Sequence, residues 1–351
     1  MIINGESLEQ LKLMEENSID HIITDPPYLI DFMGKKWDSA DNIAGSVEFW
    51  KEALRVCKSG SYALVFGHSR THHRVMVALE NAGWEIRDCL MWLQGQGFPK
   101  SHELGAKIDK ALGHIGHRGK RVKHQHGHEH LEKPEAIGKH EPISAEAKEW
   151  SGWGENLKPA YEPIIMARKP FKGSLTNNVL INKTGALNID ACKVNERHPA
   201  NVILDEETTE LLDQQDTKTD GVSRFFYCPK VSSKERNFGC EELPQRQTIG
   251  GGGTETDIAG AYGSVKAKGG NHHPTLKPIE LMKYLVKLVS KEGQTILDPF
   301  TGSGSTGIAV ELLNRNFIGV ELDPDYCEIA EKRISAWKEK ENKTLDEHSE
   351  S

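Results

Sequence analysis

The sequence predicts an α/β fold whose sheet is assembled from two segments lying far apart in the chain. Three observations carry this. Short apolar strand patterns alternate with helical ones near both ends. Two of those strands stop abruptly at polar, conformationally special loops, Asp25-Pro26-Pro27 and Asp298 to Gly304. Between the ends lie two long stretches without periodicity, near 106–155 and 171–270.

Each element has a local reason. Met1 to Asn4 reads as a strand, followed by a helix start in which Ser7 and Gln10 form a capping-box pattern ahead of Leu8, Leu11 and Met14. Ile19 to Thr24 is an apolar run ended by two prolines, which cannot donate to a sheet ladder and disfavour helix. Val47, Trp50, Leu54 and Cys57 keep helical spacing up to a stop at Gly60. Ala63 to Phe66, Trp84 to Leu93 and Glu162 to Ala167 are further strand patterns. Pro278 sits where a first helical turn begins, with Leu281, Leu285 and Leu288 behind it. Thr295 to Leu297, a glycine-rich turn, a helix holding Ile308, Val310, Leu312 and Leu313, and the strand Phe317 to Val320 follow in order. Tyr326, Ile329, Ala330, Ile334 and Trp337 complete an amphipathic helix.

Bulk properties exclude several classes. The chain has 351 residues, 37% hydrophobic and 27% charged, as suits a globular protein with polar loops. No apolar run is long enough to span a membrane, and the N-terminus lacks a signal-peptide pattern. Six scattered cysteines form no CxxC pair and no disulfide cadence, so a reduced, cytoplasmic setting is expected. The net charge of −8 decides nothing about nucleic acid, because phosphate contacts need a local basic surface. Acid crowds one stretch from Asp205 to Asp220, whereas Arg118, Lys120, Arg121 and Lys123 sit together as a candidate phosphate patch.

Two motifs carry chemistry. In Asp298-Pro299-Phe300-Thr301-Gly302-Ser303-Gly304 a strand enters and a helix leaves, and the glycines let backbone approach a ligand closely. Glu321, at the end of the next strand, is placed to accept hydrogen bonds from ribose hydroxyls. Gly302, Gly304 and Gly307 keep the G-x-G-x-x-G spacing of nucleoside-cofactor turns, a spacing that by itself does not choose among such cofactors. The second motif is Asp25-Pro26-Pro27-Tyr28, at the C-terminal end of a strand, where open α/β sheets bind ligands. A base's exocyclic amine is a poor nucleophile because its lone pair is delocalised into the ring. A carboxylate and a proline carbonyl accepting its two N–H bonds favour pyramidal nitrogen and free that lone pair. Tyr28 can stack on a base taken out of the duplex, a contact worth on the order of 1–3 kcal/mol against an unstacking cost of a few kcal/mol.

Asn4-Gly5-Glu6, Thr24 to Tyr28, His273-Pro274-Thr275-Leu276-Lys277-Pro278 and Asp298 to Gly304 resemble the sequence blocks of DNA amino-methyltransferases, in the β-class order. That order puts the catalytic block first, target recognition in the middle and the cofactor block last. Trp153 to Pro170 and Ser223 to Asn237 look like prokaryotic and bacteriophage members of the N6-adenine/N4-cytosine family. The resemblance covers most of the chain, leaving out the His-rich loop, residues 240–270 and the tail. It implies a Rossmann-like, mixed, largely parallel seven-stranded sheet with helices on both faces and a permuted motif order. It also implies direct methyl transfer from S-adenosylmethionine without a covalent intermediate.

On this resemblance Asp25, Pro26, Pro27 and Tyr28 are catalytic, and Asp25 also borders the cofactor. Asp298, Pro299, Phe300, Gly302 and Gly304 line the cofactor pocket, with Glu321 and Leu322 on the ribose side. Asn4 and Glu6 lie towards the adenine end, where many relatives carry Asp in place of Glu6, and Thr275 and Lys277 close the methionine end. DPPY leans towards adenine N6, and SPPY towards cytosine N4. The expected division is 1–105 for the catalytic half, 106–155 for a His/Lys-rich recognition insertion and 156–170 for a core strand. Residues 171–270 are expected to hold target recognition, 271–338 the cofactor half, and 339–351 a disordered tail.

The expected partner is double-stranded DNA in a prokaryotic or phage setting, with no membrane. Relatives commonly dimerise or accompany a restriction endonuclease, and nothing in the residues decides either for this chain. No metal is expected. His124, His126, His128 and His130 alternate without a cysteine or a strand pattern to hold them on one face, and read better as a flexible, DNA-facing loop. Arg224 to Tyr227 reads as a buried strand in preference to a base-contacting surface. Rival functions are cytosine-N4 methylation, methylation of RNA or of protein glutamine (for which NPPY is usual), and a DNA-binding protein without catalysis.

Overall fold

The computed structural model describes residues 1–30, 39, 41–95, 103–114, 141–215, 221–229, 235–243, 246–248, 267–273 and 276–349. Two compact units emerge: residues 1–95, 161–254 and 264–351 form one, and 96–160 with 255–263 the other.

The first unit is built on strands β1 (Ile2–Asn4), β2 (His21–Thr24), β3 (Tyr62–Phe66), β4 (Glu85–Leu93), β5 (Tyr161–Arg168), β6 (Val202–Leu204), β9 (Thr295–Asp298) and β10 (Asn316–Glu321). They form one sheet in the order β1-β10-β9-β2-β3-β5-β4-β6. Only β5 runs against its neighbours, pairing antiparallel with both β3 and β4. The sheet therefore has eight strands in place of the expected seven. The eighth, β6, pairs parallel with β4 through Met91↔Val202 and comes from the stretch read as a long irregular recognition region. Three residues are too short a pattern to stand out in sequence, and the pairing is what makes them a strand. Strands β7 (Arg246–Thr248) and β8 (Ala267–Gly269) form a separate antiparallel pair.

Helices cover both faces. On one lie α1 (Ser7–Leu13), α2 (Val47–Val56) and α3 (His72–Ala82), whose Leu11, Phe49, Trp50, Ala53 and Leu79 are buried against Ile22, Ala63, Val65 and Leu297. Ile23, Leu64, Phe66 and Ile296 point the other way. They meet Leu281, Met282 and Leu285 of α8 (Ile279–Val289) and Ala309 and Val310 of α9 (Ser305–Leu312). Successive strand side chains alternate faces, and β2 and β3 are apolar and buried throughout because both faces are covered. Helix α10 (Pro324–Ser349) closes this unit and runs on through residues expected to be a disordered tail.

Three further expectations change. The first helix is capped by Glu6, whose side chain accepts from Glu9 N; Ser7 is already helical and its hydroxyl is used elsewhere. Val222–Phe225 is a short 3-10 turn rather than a strand, and Tyr227 makes one bridge to Ile203 and stacks on Tyr284 at 4.1 Å. The 171–270 stretch also holds helices α6 (Leu175–Asn182) and α7 (Glu206–Gln215).

The second unit contains α4 (Leu104–Ala111) and α5 (Ala145–Glu149). Its organising group is Asp109, fully buried, which accepts from Ile143 N at 2.8 Å, Ser144 N at 2.9 Å and the Ser144 hydroxyl at 2.7 Å. Ser144 in turn caps α5 by accepting from Ala147 N.

The arrangement of β9 and β2 positions the site. They are parallel neighbours, in register through Ile22↔Leu297. From β9 the chain passes through α9 to β10 on one side; from β2 it passes through α2 to β3 on the other. Diverging connections leave a crevice at the carboxyl ends of these two strands, the place where open α/β sheets hold ligands.

Candidate active site

Both sequence motifs open into that crevice. Thr24, the last residue of β2, donates its hydroxyl to Asp298 Oδ1 at 2.7 Å, tying the end of one strand to the end of the other. Asp298 Oδ1 also accepts from Phe300 N at 3.1 Å, so the carboxylate shapes the turn that follows it. Burial pushes the Asp298 carboxyl up to about 6, against hydrogen bonds from Thr306 and Thr24 that pull it down.

The turn itself depends on two left-handed glycines, Gly302 at φ +52° and Gly304 at φ +79°. A Cβ on Gly302 would lie 2.8 Å from His273 Nε2, and one on Gly304 would lie 2.9 Å from the Ala330 Cβ. Gly302 N donates to Glu321 Oε2 at 2.8 Å, while Glu321 Oε1 accepts from Asp323 N at 2.9 Å. Burial raises the Glu321 carboxyl above its ordinary value. Each of its oxygens keeps a lone pair for a further donor. The Ser7 hydroxyl donates to Pro299 O at 2.5 Å and pins α1 to the turn. The Phe300 ring leans on Phe49, centroids 5.2 Å apart. Arg333, fully buried on α10, donates to Ser303 O behind the turn; burial lowers its guanidinium to about 10.

Two buried polar atoms here have no hydrogen-bond partner, Glu6 Oε1 and Ser305 Oγ. A buried carboxylate oxygen without a donor is costly unless a ligand supplies one. Orphaned acceptors, a cradle kept clear of Cβ atoms and a carboxylate with lone pairs to spare fit the hydroxyls and amino group of an adenosyl moiety.

Asp25, which follows β2, lies in a dense polar network. Lys277 Nζ donates to Asp25 Oδ2 at 2.6 Å and to the Tyr28 hydroxyl oxygen at 3.0 Å. Tyr28 Oη lies 2.8 Å from Asp25 Oδ1 and 2.9 Å from Glu162 Oε2. Lys277 Nζ is 3.3 Å from Glu162 Oε2, and Gln94 Nε2 donates to Glu162 Oε1 at 2.8 Å. The Lys277 side chain is only 7% exposed. Burial raises the Asp25 carboxyl, Lys277 pulls it back down, and Glu162 adds to the rise. Burial acts the same way on Glu162, but Lys277, Gln94 and Tyr28 together outweigh it and hold that carboxyl below its ordinary value. Burial would lower the Lys277 ammonium, yet the two carboxylates leave it raised. Burial and both carboxylates keep the Tyr28 phenol protonated. The loop is braced from α3, where the Thr71 hydroxyl donates to Tyr28 O at 2.5 Å.

The predicted residues thus separate into two groups. Asp25, Tyr28 and Lys277 converge on one network; Glu6, Pro299, Phe300, Gly302, Gly304 and Glu321 surround the turn. Lys277, expected at the methionine end of a cofactor, has its ammonium on Asp25. Asn4 spends its amide on Glu321 O and Leu322 O, both at 3.0 Å, so it shapes the exit of β10. Asp298 is 2% exposed and acts inside the turn. Leu322 is 64% exposed beside the turn, Pro26 is buried and Pro27 half-buried. Thr275, the alternating histidines and Arg118 to Lys123 lie outside the described residues. Glu162 and Gln94 are the residues that sequence reading missed. The available signal was an acid at the head of an apolar strand, Tyr161-Glu162-Pro163-Ile164-Ile165.

Comparison with known proteins shows the family. A family model described as DNA methylase matches residues 19–332. The type II methyltransferase M.HindIII of Haemophilus influenzae is 28% identical, over 95% of this chain and 94% of its own length. The type II methyltransferase M2.DpnII of Streptococcus pneumoniae is 47% identical over a shorter segment, 18% of this chain and 24% of its own. Among solved structures, the PvuII DNA methyltransferase (cytosine-N4-specific) superposes with a TM-score of 0.50 at 14% identity, covering 98% of this chain and 92% of its own, a likeness of fold.

Proposed function

Because the chain belongs to the DNA methylase family, we propose that it transfers a methyl group from S-adenosylmethionine to the exocyclic N6 of an adenine turned out of double-stranded DNA. The observation that carries this is the Thr24–Asp298 hydrogen bond, which sets the Asp25 carboxylate and the glycine turn side by side at the carboxyl ends of adjacent strands. When bound, S-adenosylmethionine supplies an electrophilic methyl on a sulfonium centre.

The roles of this chain's residues follow from chemistry and position. Glu321 accepts from ribose hydroxyls, and Glu6 Oε1 accepts an amino hydrogen at the adenine end. Gly302 and Gly304 keep side chains out of the cradle, and Phe300 offers an apolar wall. Asp25 and the Pro26 carbonyl accept the two hydrogens of the target amine, directing its lone pair out of conjugation. The Tyr28 ring stacks on the extruded base. With Asp at position 25, adenine is the favoured acceptor.

The test is to incubate the purified protein with unmethylated DNA and methyl-labelled S-adenosylmethionine, digest the DNA and separate the nucleosides. Label in N6-methyladenine is expected. Label in N4-methylcytosine would overturn the choice of base, and DNA without label would overturn the reading as a whole.

A further inference from the structure

Tyr28 has one hydroxyl proton and two carboxylates within reach, Asp25 Oδ1 at 2.8 Å and Glu162 Oε2 at 2.9 Å. Lys277 donates onto the phenol oxygen, so that proton must go to one carboxylate or the other. Lys277 shows the same division, with Asp25 Oδ2 at 2.6 Å and Glu162 Oε2 at 3.3 Å. In this arrangement both Asp25 oxygens are engaged by protein donors. Each Asp25 oxygen keeps a lone pair, but a docking amine shares the carboxylate's charge with those donors. It has full use of that charge only as they turn away, and a buried ammonium cannot turn away without a counter-charge. Glu162 offers one. It sits on β5, the antiparallel strand, and Gln94 at the end of β4 holds its other oxygen at 2.8 Å.

We propose that Glu162 is a positioning residue for the transfer step: its carboxylate draws the Tyr28 hydroxyl and the Lys277 ammonium off Asp25, leaving the Asp25 oxygens to the target amine. This rests on the methyltransferase reading and deepens it. The groups facing Asp25 are Tyr28 on its own loop, Lys277 ahead of α8, Glu162 on β5 and Asp298 at the end of β9. Two of these are negative. Removing the charge of Glu162 therefore makes Asp25 easier to ionise. In Glu162→Gln the carbonyl oxygen stays with the Gln94 donor and the NH2 faces Tyr28, so the phenol proton turns to Asp25.

The test compares wild type, Glu162→Gln and Glu162→Asp in steady-state methylation of DNA across pH. Glu162→Gln is expected to lower kcat about 30-fold, the kinetic equivalent of one charge-assisted hydrogen bond. KM for DNA and for S-adenosylmethionine should stay within about threefold of wild type, because Glu162 is assigned no contact with either. The acid limb of kcat should move to lower pH. Glu162→Asp keeps the charge at shorter reach; it should recover part of kcat and leave the acid limb near that of wild type. If Glu162→Gln melts early, the Asp variant decides by the same two readings. A Glu162→Gln enzyme with wild-type kcat and an unmoved limb overturns the inference alone. So does one whose losses fall equally on cofactor affinity, DNA affinity and kcat. A wild type that transfers no methyl overturns the reading beneath it.

Discussion

Asp25 is pulled in two directions: burial and the neighbouring Glu162 favour its neutral form, while Lys277 favours the anion. The balance leaves its pKa above the ordinary carboxylate value, with a consequence for activity. Only the anion accepts both an amine hydrogen and the positive charge that grows on nitrogen. Methyl transfer should fall as pH drops through this raised pKa, so the acid limb of kcat should lie above the pH of about 4 typical of a free aspartate. A rate profile between pH 4 and 8 measures it, and a limb at or below pH 4 would contradict the assignment. Asp25 and Tyr28 were legible in sequence because they share one tetrapeptide. Glu162 was not, because its bond to Tyr28 spans 134 positions and nothing in a strand pattern says which residue its ends will face.

The elements were legible where their pattern is local. A proline pair, a glycine stop and short apolar runs mark β2, α2 and β9 because each reports a backbone constraint that neighbours in sequence impose. Ser7 shows the limit: its sequence fits a cap, yet its hydroxyl serves Pro299 at a separation of 292 residues. The glycine turn is a local constraint of the same kind: Gly302 has φ +52° and a Cβ there would lie 2.8 Å from His273 Nε2. Gly302→Val adds a β-branched side chain at a left-handed position, a strain of order 1–3 kcal/mol, and fills the cradle. Cofactor affinity should fall at least about 10-fold, one decade for each 1.4 kcal/mol. Calorimetric titration with S-adenosylmethionine reads this directly, and affinity unchanged in the variant would remove the turn from the cofactor site.

Across the molecule, the two loops proposed for chemistry and for cofactor come from distant parts of the chain that the sheet reunites. β2 carries the Asp25 loop, β9 carries the glycine turn, and their parallel pairing with the Thr24–Asp298 bond is the joint. The order of the motifs was readable, and so was the α/β class. The eighth strand and the length of α10 were not, because both depend on partners supplied by the folded chain. This division makes the two functions separable. The most direct measurement is a paired one on Asp25→Ala: single-turnover methyl transfer to DNA, and S-adenosylmethionine binding by calorimetry. Transfer should fall below detection while binding stays within a few-fold of wild type. Transfer near the wild-type rate in Asp25→Ala would contradict the account.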